Sequence, residues 1–288
     1  MPKAREQKYY ITFLMLAACY SLVVIALADY MRNKPFLERL GYIPSVNTLK
    51  VFAADHKQLL SASLMLKVQI YFGGLIEKAE NKLQVPADYP AMSRTIDAAL
   101  KLDPYNMDGY YFAQAILAWD VGKPDLANTF LEYGMKYRTW DWQLPFFAGF
   151  NYAYFLKDYG KAAREYQRAA ELSGNEMFIN LAGRYMQRSG KTEMAITYLG
   201  MMAKSARQLS MKRTLLTRQT AFLQVLKIEK ARDTFFQHYA KLPTSLDDLV
   251  HAGYLPVLPR DPYGGTFFIK NDGSIDSTSG FAFAAVKK

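Results

Sequence analysis

WQLPFFAGFNYAYFLKDYGKAAREYQRAAELSGN, residues Trp142 to Asn175, decides the fold. It reads as one helix, a turn at Asp158-Tyr159-Gly160, a second helix and a stop. On the second helix Ala162 and Ala169 stand seven apart, with Tyr166 between them. One face therefore stays thin enough for a neighbouring helix to approach, while the tyrosine fills the gap beside it. The pattern recurs along the chain. Thirty-five residues earlier stand Ala127, Leu131 and Gly134; thirty-three later stand Ala195, Leu199 and Met202. Before them come Met92, Ile96 and Ala99, then Leu102-Asp103-Pro104. The turns fall in step at Gly122-Lys123-Pro124 and Ser189-Gly190. Helix–turn–helix units at a period of about 34 residues define a helical repeat, in which each unit buries its apolar face on the next.

These residues resemble tetratricopeptide repeats over 115 residues, from Met92 to Ala206. DYGKAAREYQRAAEL is similar to the family's second helix, and IDAALKLDPYN to the end of one. Phe150 departs from the pattern where the family places Gly or Ala, with Gly149 beside it. Met202 replaces a small residue, with Ala203 following. In such repeats the first helices line a groove. The resemblance therefore implies a partner-binding groove at Phe112, Ile116 and Trp119, then Phe147, Asn151 and Tyr154, then Asn180, Arg184 and Gln187. That groove would be apolar at one end and polar at the other, suited to an extended peptide or a partner helix. It does not match the family's clamp for a free carboxylate, which wants a lysine where Phe147 stands; Arg184 and Arg188 leave an acidic contact open. Trp140-Asp141-Trp142 is expected to plug the junction between two units.

The chain has 288 residues, 51% of them hydrophobic and 15% aromatic, enough for a sizeable core and two folded parts. Its formal net charge is +10, yet no compact Lys/Arg run accompanies it, which argues against nucleic acid. A single cysteine, Cys19, excludes an internal disulfide framework. Residues 9–28 read YYITFLMLAACYSLVVIALA, twenty residues without a charge and long enough to cross a bilayer. Lys3, Arg5 and Lys8 precede them and favour a cytoplasmic N-terminus, although Arg32, Lys34 and Arg39 follow closely. Leu16-Ala17-Ala18-Cys19 resembles a lipoprotein cleavage box, and Ala26-Leu27-Ala28 a signal-peptidase site. An uncleaved anchor is the preferred reading. It implies a single-pass protein of the bacterial inner membrane with its bulk in the periplasm.

Pro35, Gly41 and Pro44 break the polar segment after the anchor, where Leu37, Leu40 and Tyr42 are expected to pack back. Residues 45–82 read as one helix with an apolar stripe at Val51, Leu59, Leu60, Leu64, Val68 and Tyr71. A loop with Pro86 and Pro90 follows. Residues 206–239 predict a long helix with a stripe at Leu215, Leu216, Phe222, Leu223, Leu226 and Ile228. The pattern then shifts. Ser245 is a plausible N-cap, with Asp247 and Asp248 at the helix's positive end. Residues 266–270 and 274–277 predict two strands joined by Asn271-Asp272-Gly273, because Asp-Gly tolerates positive φ. This stretch, with PTSLDDLV, GYL and LPRDPYGG, resembles the C-terminal part of the major pseudopilins of type II secretion. No prepilin-type leader is visible, so polymerisation as a pilin is not expected. The pseudopilins hold calcium after these strands, but Asp272 and Asp276 alone fall short of a site.

The expected architecture is mainly α, with an N-terminal transmembrane helix, a tetratricopeptide-like α-solenoid and a small C-terminal α+β hairpin module. Its parts are an anchor at 1–30, a juxtamembrane helical segment at 31–90, repeats at 91–206, a long capping or linker helix at 207–240 and the pseudopilin-like module at 241–288. No motif for a catalytic nucleophile, a phosphate loop or a zinc site is present, and His56, His238 and His251 lack metal-ligand spacing. Neither an enzyme, a cofactor, a small-molecule substrate nor a nucleic-acid partner is expected. The sequence points to a membrane-anchored scaffold for protein–protein interactions in envelope machinery such as type IV pilus or secretion assembly. The alternative is a structural subunit acting through the C-terminal module.

Overall fold

The computed structural model describes residues 2–33, 40–80 and 87–282. Lys34, Pro35, Leu37, Arg39 and Pro86, singled out above, lie outside the described residues. The chain divides into two compact units, Met1–Pro44 with Ser63–Thr95, and Ser45–Ala62 with Ile96–Lys288. Its described elements are helices, with one short hairpin near the C-terminus.

The first unit holds α1 (Pro2–Asn33) and most of α3 (Lys57–Glu80). Phe13–Tyr30 in α1 is long and apolar enough to cross a membrane, and its side chains are covered by no protein. Lys57–Glu77 in α3 meets the same test of length and composition, which the reading of 45–82 above did not anticipate. Met65, Val68 and Leu75 bury one side of it. The single helix expected over 45–82 is in fact two. α2 (Val46–Ala53), capped by Ser45, stops where Ala54 takes a φ of 45°, and α3 starts afresh at Lys57. That break resets the helical register. Leu49 and Ala53 are buried in α2, while Val51 and Leu59, placed in the apolar stripe above, are exposed.

The chain continues through α4 (Tyr89–Leu102). The second unit is the helical stack. It runs through α5 (Met107–Ala115), α6 (Pro124–Met135), α7 (Gln143–Tyr154), α8 (Tyr159–Ser173), α9 (Glu176–Arg188) and α10 (Thr192–Ser205) to α11 (Leu209–Tyr239). Each of these helices packs on the next in the chain. Starts are fixed by side chains that satisfy orphan N–H groups. Asn106 accepts from Gly109 N at 3.0 Å, Asp158 from Lys161 N at 2.9 Å and Asn175 from Met177 N at 2.9 Å. Pro124 opens α6, where its missing N–H costs nothing. The small residues sit where close approach needs them. A Cβ on Gly134 of α6 would lie 2.7 Å from Tyr110 Cζ, and one on Gly183 of α9 would lie 2.8 Å from Leu199 Cδ2. Ala127, Leu131, Ala162, Tyr166, Ala169, Ala195 and Leu199 are all buried, as the repeat register predicts.

α11 spans 31 residues and closes the stack. Its buried side is Leu215, Ala221, Phe222, Val225, Ile228, Ala231 and Phe235. Leu216 and Leu223 flank that stripe and stay exposed, a correction to the broader stripe expected. α12 (Leu246–His251) carries a capping box between Ser245 and Asp248. β1 (Phe267–Ile269) pairs antiparallel with β2 (Ile275–Ser277), Phe268 opposite Asp276. Gly273 supplies the positive φ of 80° in the turn, and Asp272 accepts from Ser274 N and Oγ. Buried Asp261 accepts from the hydroxyls of Ser277 and Ser279, which ties the rigid Pro259–Gly265 turn to the end of the hairpin.

Gly134→Ala and Gly183→Ala each push a methyl into a fully packed contact and are expected to cost about 1–3 kcal/mol. Gly73→Ala, with nothing within 4 Å of the new Cβ, should be neutral or stabilising because it only removes a helix-weakening glycine. Chemical denaturation followed by circular dichroism checks the contrast.

Candidate functional site

α5 does not end as an α-helix. Its last turn, Ile116–Asp120, is π-helical: Val121 N donates to Ile116 O at 3.0 Å, five residues back. The wider turn inserts one residue into the helix and re-aims whatever follows it. Ile116 is thereby buried, and Trp119 stands out from the surface.

Trp119 meets the aromatic stripe of α7. Its ring centroid lies 5.9 Å from Phe150, 5.7 Å from Tyr154 and 5.0 Å from Phe155. Phe150 and Tyr154 are 5.4 Å apart and nearly parallel, at 17°. One end of the same face is a second pair, Tyr111 and Phe147, at 5.7 Å. Tyr111, Trp119 and Tyr154 remain 57%, 55% and 53% exposed, whereas Phe112, Phe147 and Phe150 are half-buried. Exposed aromatic clusters of this kind mark interaction surfaces, because large rigid rings contribute contact area at small entropic cost. Lys157 Nζ stands 5.2 Å over the Tyr154 ring.

Asn151 is not on this face. It is fully buried beneath it, in a row of amides that crosses three helices. Gln114 Nε2 of α5 lies 3.5 Å from Asn151 Oδ1 of α7, and Asn151 Nδ2 donates to Asn128 Oδ1 of α6 at 2.9 Å. Its expected role in a partner groove is therefore corrected: its side chain is fully buried and bonds to Gln114 and Asn128 of the neighbouring helices. The amides fix how the three helices sit against one another and hold the ring-bearing helices in place.

The polar end of the expected groove is occupied by the chain itself. Gln187 of α9 is buried, its Nε2 lying 3.4 Å from Ile275 O of β2. Asn180 is partly buried; its Nδ2 donates back to Glu176 O, and its carbonyl accepts from Arg218 of α11 at 2.8 Å. Arg218 also donates to Phe281 O at 2.7 Å, and Phe281 packs edge-on against Phe222 at 5.1 Å. Burial lowers the pKa of Arg184, and its neighbours Arg188 and Arg218 lower it further. Gln187 is thus an internal contact of the C-terminal module, a second correction, while Asn180, held through its backbone oxygen by Arg218, and Arg184 are partly buried beside it. The distance in sequence hides this: Gln187 and Ile275 are 88 residues apart.

Asp276 anchors the docked hairpin. Burial pushes its carboxyl up, but Lys270 Nζ at 2.5 Å, the Ser277 N–H and Arg188 at 3.8 Å together hold it below the usual range. The cleft of about 560 Å³ beside it is charged but self-neutralised, with Lys230 on Glu193, Arg232 on Asp233 and Lys270 on Asp276. In the junction loop, Asp141 is buried on Arg138 at 2.8 Å and Trp142 packs on Phe178 at 5.2 Å. Trp140 stays exposed, stacked on Tyr105.

Of the residues read from the sequence, Trp119, Phe147 and Tyr154 come together on one face, and Phe112 is half-buried beside Tyr111 in the chain. Tyr111, Phe150, Phe155 and Lys157 belong with them and were missed. Phe150 did carry a signal, as a ring where the repeat pattern wants a small residue. Tyr111 carried none.

No family model matches the chain, and no curated protein matches its sequence. Among solved structures it is similar to one titled "Crystal structure of MamA", 18% identical with a TM-score of 0.34, covering 51% of this chain and 79% of that one. It is similar also to "Crystal structure of MamA protein", 18% identical with a TM-score of 0.37, covering 67% and 98%. A third is "MamA 41-end from Desulfovibrio magneticus RS-1", 20% identical with a TM-score of 0.33, covering 57% and 86%. These scores are low, and the repeat architecture stands on the helix pairs described above.

Asn151→Ala leaves Gln114 and Asn128 without partners in the core and should cost about 1–3 kcal/mol. Trp119→Ala, at the surface, should stay within about 0.5 kcal/mol of the parent. Urea denaturation distinguishes them. For Asp276 the folded carboxyl titrates below its ordinary 3.8, so its contribution is complete above that value and is lost as pH falls through the lower folded one. Hydrogen exchange at the Phe281 amide should therefore accelerate below pH 3.8 in the parent and be fast at every pH in Asp276→Ala.

Proposed function

We propose that this chain is a membrane-anchored scaffold that recruits a protein partner through the aromatic face of α5 and α7. One observation carries the reading: Tyr111, Trp119 and Tyr154 are each more than half exposed, yet sit on helices held rigid by the buried amide row. A folded chain keeps such rings in water at a cost unless they meet something. α1, apolar and uncovered from Phe13 to Tyr30, supports the anchor. The proposed setting is the bacterial inner membrane, crossed once, with the bulk periplasmic. Within it the scaffold would serve envelope machinery, type IV pilus or secretion assembly, to which the resemblance of residues 241–288 points. No catalytic role is proposed.

A second reading has an observation of its own. The C-terminal module shares one core with α8 to α11 yet leaves Val257, Leu258 and Phe268 exposed. A structural subunit built into an apparatus through those residues would use them as its contact.

Cross-linking and co-purification from membranes test both. Trp119→Ala with Tyr154→Ala should abolish partner recovery while the protein stays folded and in the membrane. Unchanged recovery, with loss instead in Val257→Asp, would transfer the role to the C-terminal module. Reporter fusions after Lys34 and at Lys288 should both report the periplasm, because both positions follow the span; a cytoplasmic signal at both removes the envelope setting.

A further inference from the structure

We propose that the α5–α7 aromatic face is a docking furrow for a proline-containing segment in the polyproline II conformation. This rests on the interaction-scaffold reading and names its partner class. The first argument is spacing. The rings form two stations, Tyr111 with Phe147, and Trp119 with Phe150 and Tyr154. Phe147 and Tyr154 are seven residues apart on α7, about 10.5 Å along a helix that rises 1.5 Å per residue. A polyproline II helix repeats every three residues of 3.1 Å, about 9.3 Å. Prolines three apart along the furrow therefore reach successive stations.

The second argument is hydrogen bonding. Among the described residues, Trp119 Nε1–H and the hydroxyls of Tyr111 and Tyr154 make no hydrogen bond, so the face offers one fixed donor and two hydroxyls able to donate. The backbone N–H and C=O groups of its helices are used within the helices. A helical ligand would bring no free carbonyls to those donors. A β-strand ligand would bring a row of N–H groups for which the face has only the two hydroxyl oxygens as acceptors. A proline segment brings carbonyls and, at each proline, no N–H.

Ring geometry agrees. Trp119 lies at 29° to Phe150 and 31° to Tyr154, so the three rings are near parallel, and aromatic-lined grooves are the surfaces on which proline rings dock. Lys157, over Tyr154, has no carboxylate partner, which favours an acidic residue at that end of the ligand. Both surfaces are stiff before they meet, which keeps the ordering cost of binding low.

The test uses the full chain in detergent micelles and isothermal titration calorimetry. The probe is a ten-residue peptide of Ala-Pro-Pro triplets ending in aspartate; the control has alanine at every proline. The proline peptide should bind, and the control should bind at least about tenfold more weakly. Trp119→Ala and Tyr154→Ala should each weaken the proline peptide about tenfold, as central aromatic contacts do. Trp119→Phe, which keeps a ring but loses the indole N–H, should weaken it severalfold. Unchanged melting of each variant shows that folding is not the cause. Equal binding of the two peptides, indifference to Trp119→Ala, or preference for an amphipathic helical peptide overturns the proposal. Loss of partner recovery in the aromatic double variant would then still support the interaction face. Conversely, proline-peptide binding at Trp119 with undiminished partner recovery would retain this ligand class and remove the scaffold's use of the face.

Discussion

Close approach of helices is the constraint on which the rest depends. At Gly134, Gly149 and Gly183 a hydrogen atom stands where a methyl would press into Tyr110, Tyr166 or Leu199. Each small residue admits one large side chain from the neighbouring helix, and the pair fills the space that neither fills alone. Packed interiors tolerate little deviation from that fit, so the small-large alternation sets the distance between helices. Repeating it every 33 to 35 residues repeats the helix pair.

That fit leaves the outward sides of α5 and α7 free of structural duty. Nothing in the core requires Trp119 or Tyr154 to be aromatic. What lies directly beneath them is a polar row, Gln114–Asn151–Asn128, in an otherwise apolar stack. A satisfied buried amide pair gains about 1 kcal/mol net, and a broken one costs more than that, so such rows reward one relative setting of the helices over its neighbours. The π-turn works to the same end, because it turns Trp119 toward α7 instead of away from it.

The other end of the same helical row is finished differently. On α9 the chain supplies its own occupant, the hairpin after α11, fixed by Gln187, Arg218 and Asp276. The exposed aromatic face is therefore shorter than the full row of repeats. In that part of the row Arg188 stands 3.8 Å from Asp276 of the hairpin and Arg184 is partly enclosed beside it.

The sequence alone determined what is periodic or local. The repeat register, the turn at Asp158-Tyr159-Gly160, the cap at Ser245, the hairpin turn at Asp272-Gly273 and the apolar N-terminal helix are each written in residues a few positions apart, where spacing and side-chain chemistry leave few alternatives. The neighbourhood of Trp119, Phe147 and Tyr154 on one face was also legible from the repeat register. Tertiary structure alone decided the rest. Whether Asn151 faces water or core depends on a rotation of α7 set by its neighbours, and a family pattern that tolerates Gly or Ala where Phe150 stands gives the wrong rotation here. Ala54 breaks a helix whose stripe looked continuous, since one residue at positive φ turns every later side chain. Gln187 is buried by a strand 88 residues away, and no local pattern can announce a contact whose two halves meet only after the chain has folded.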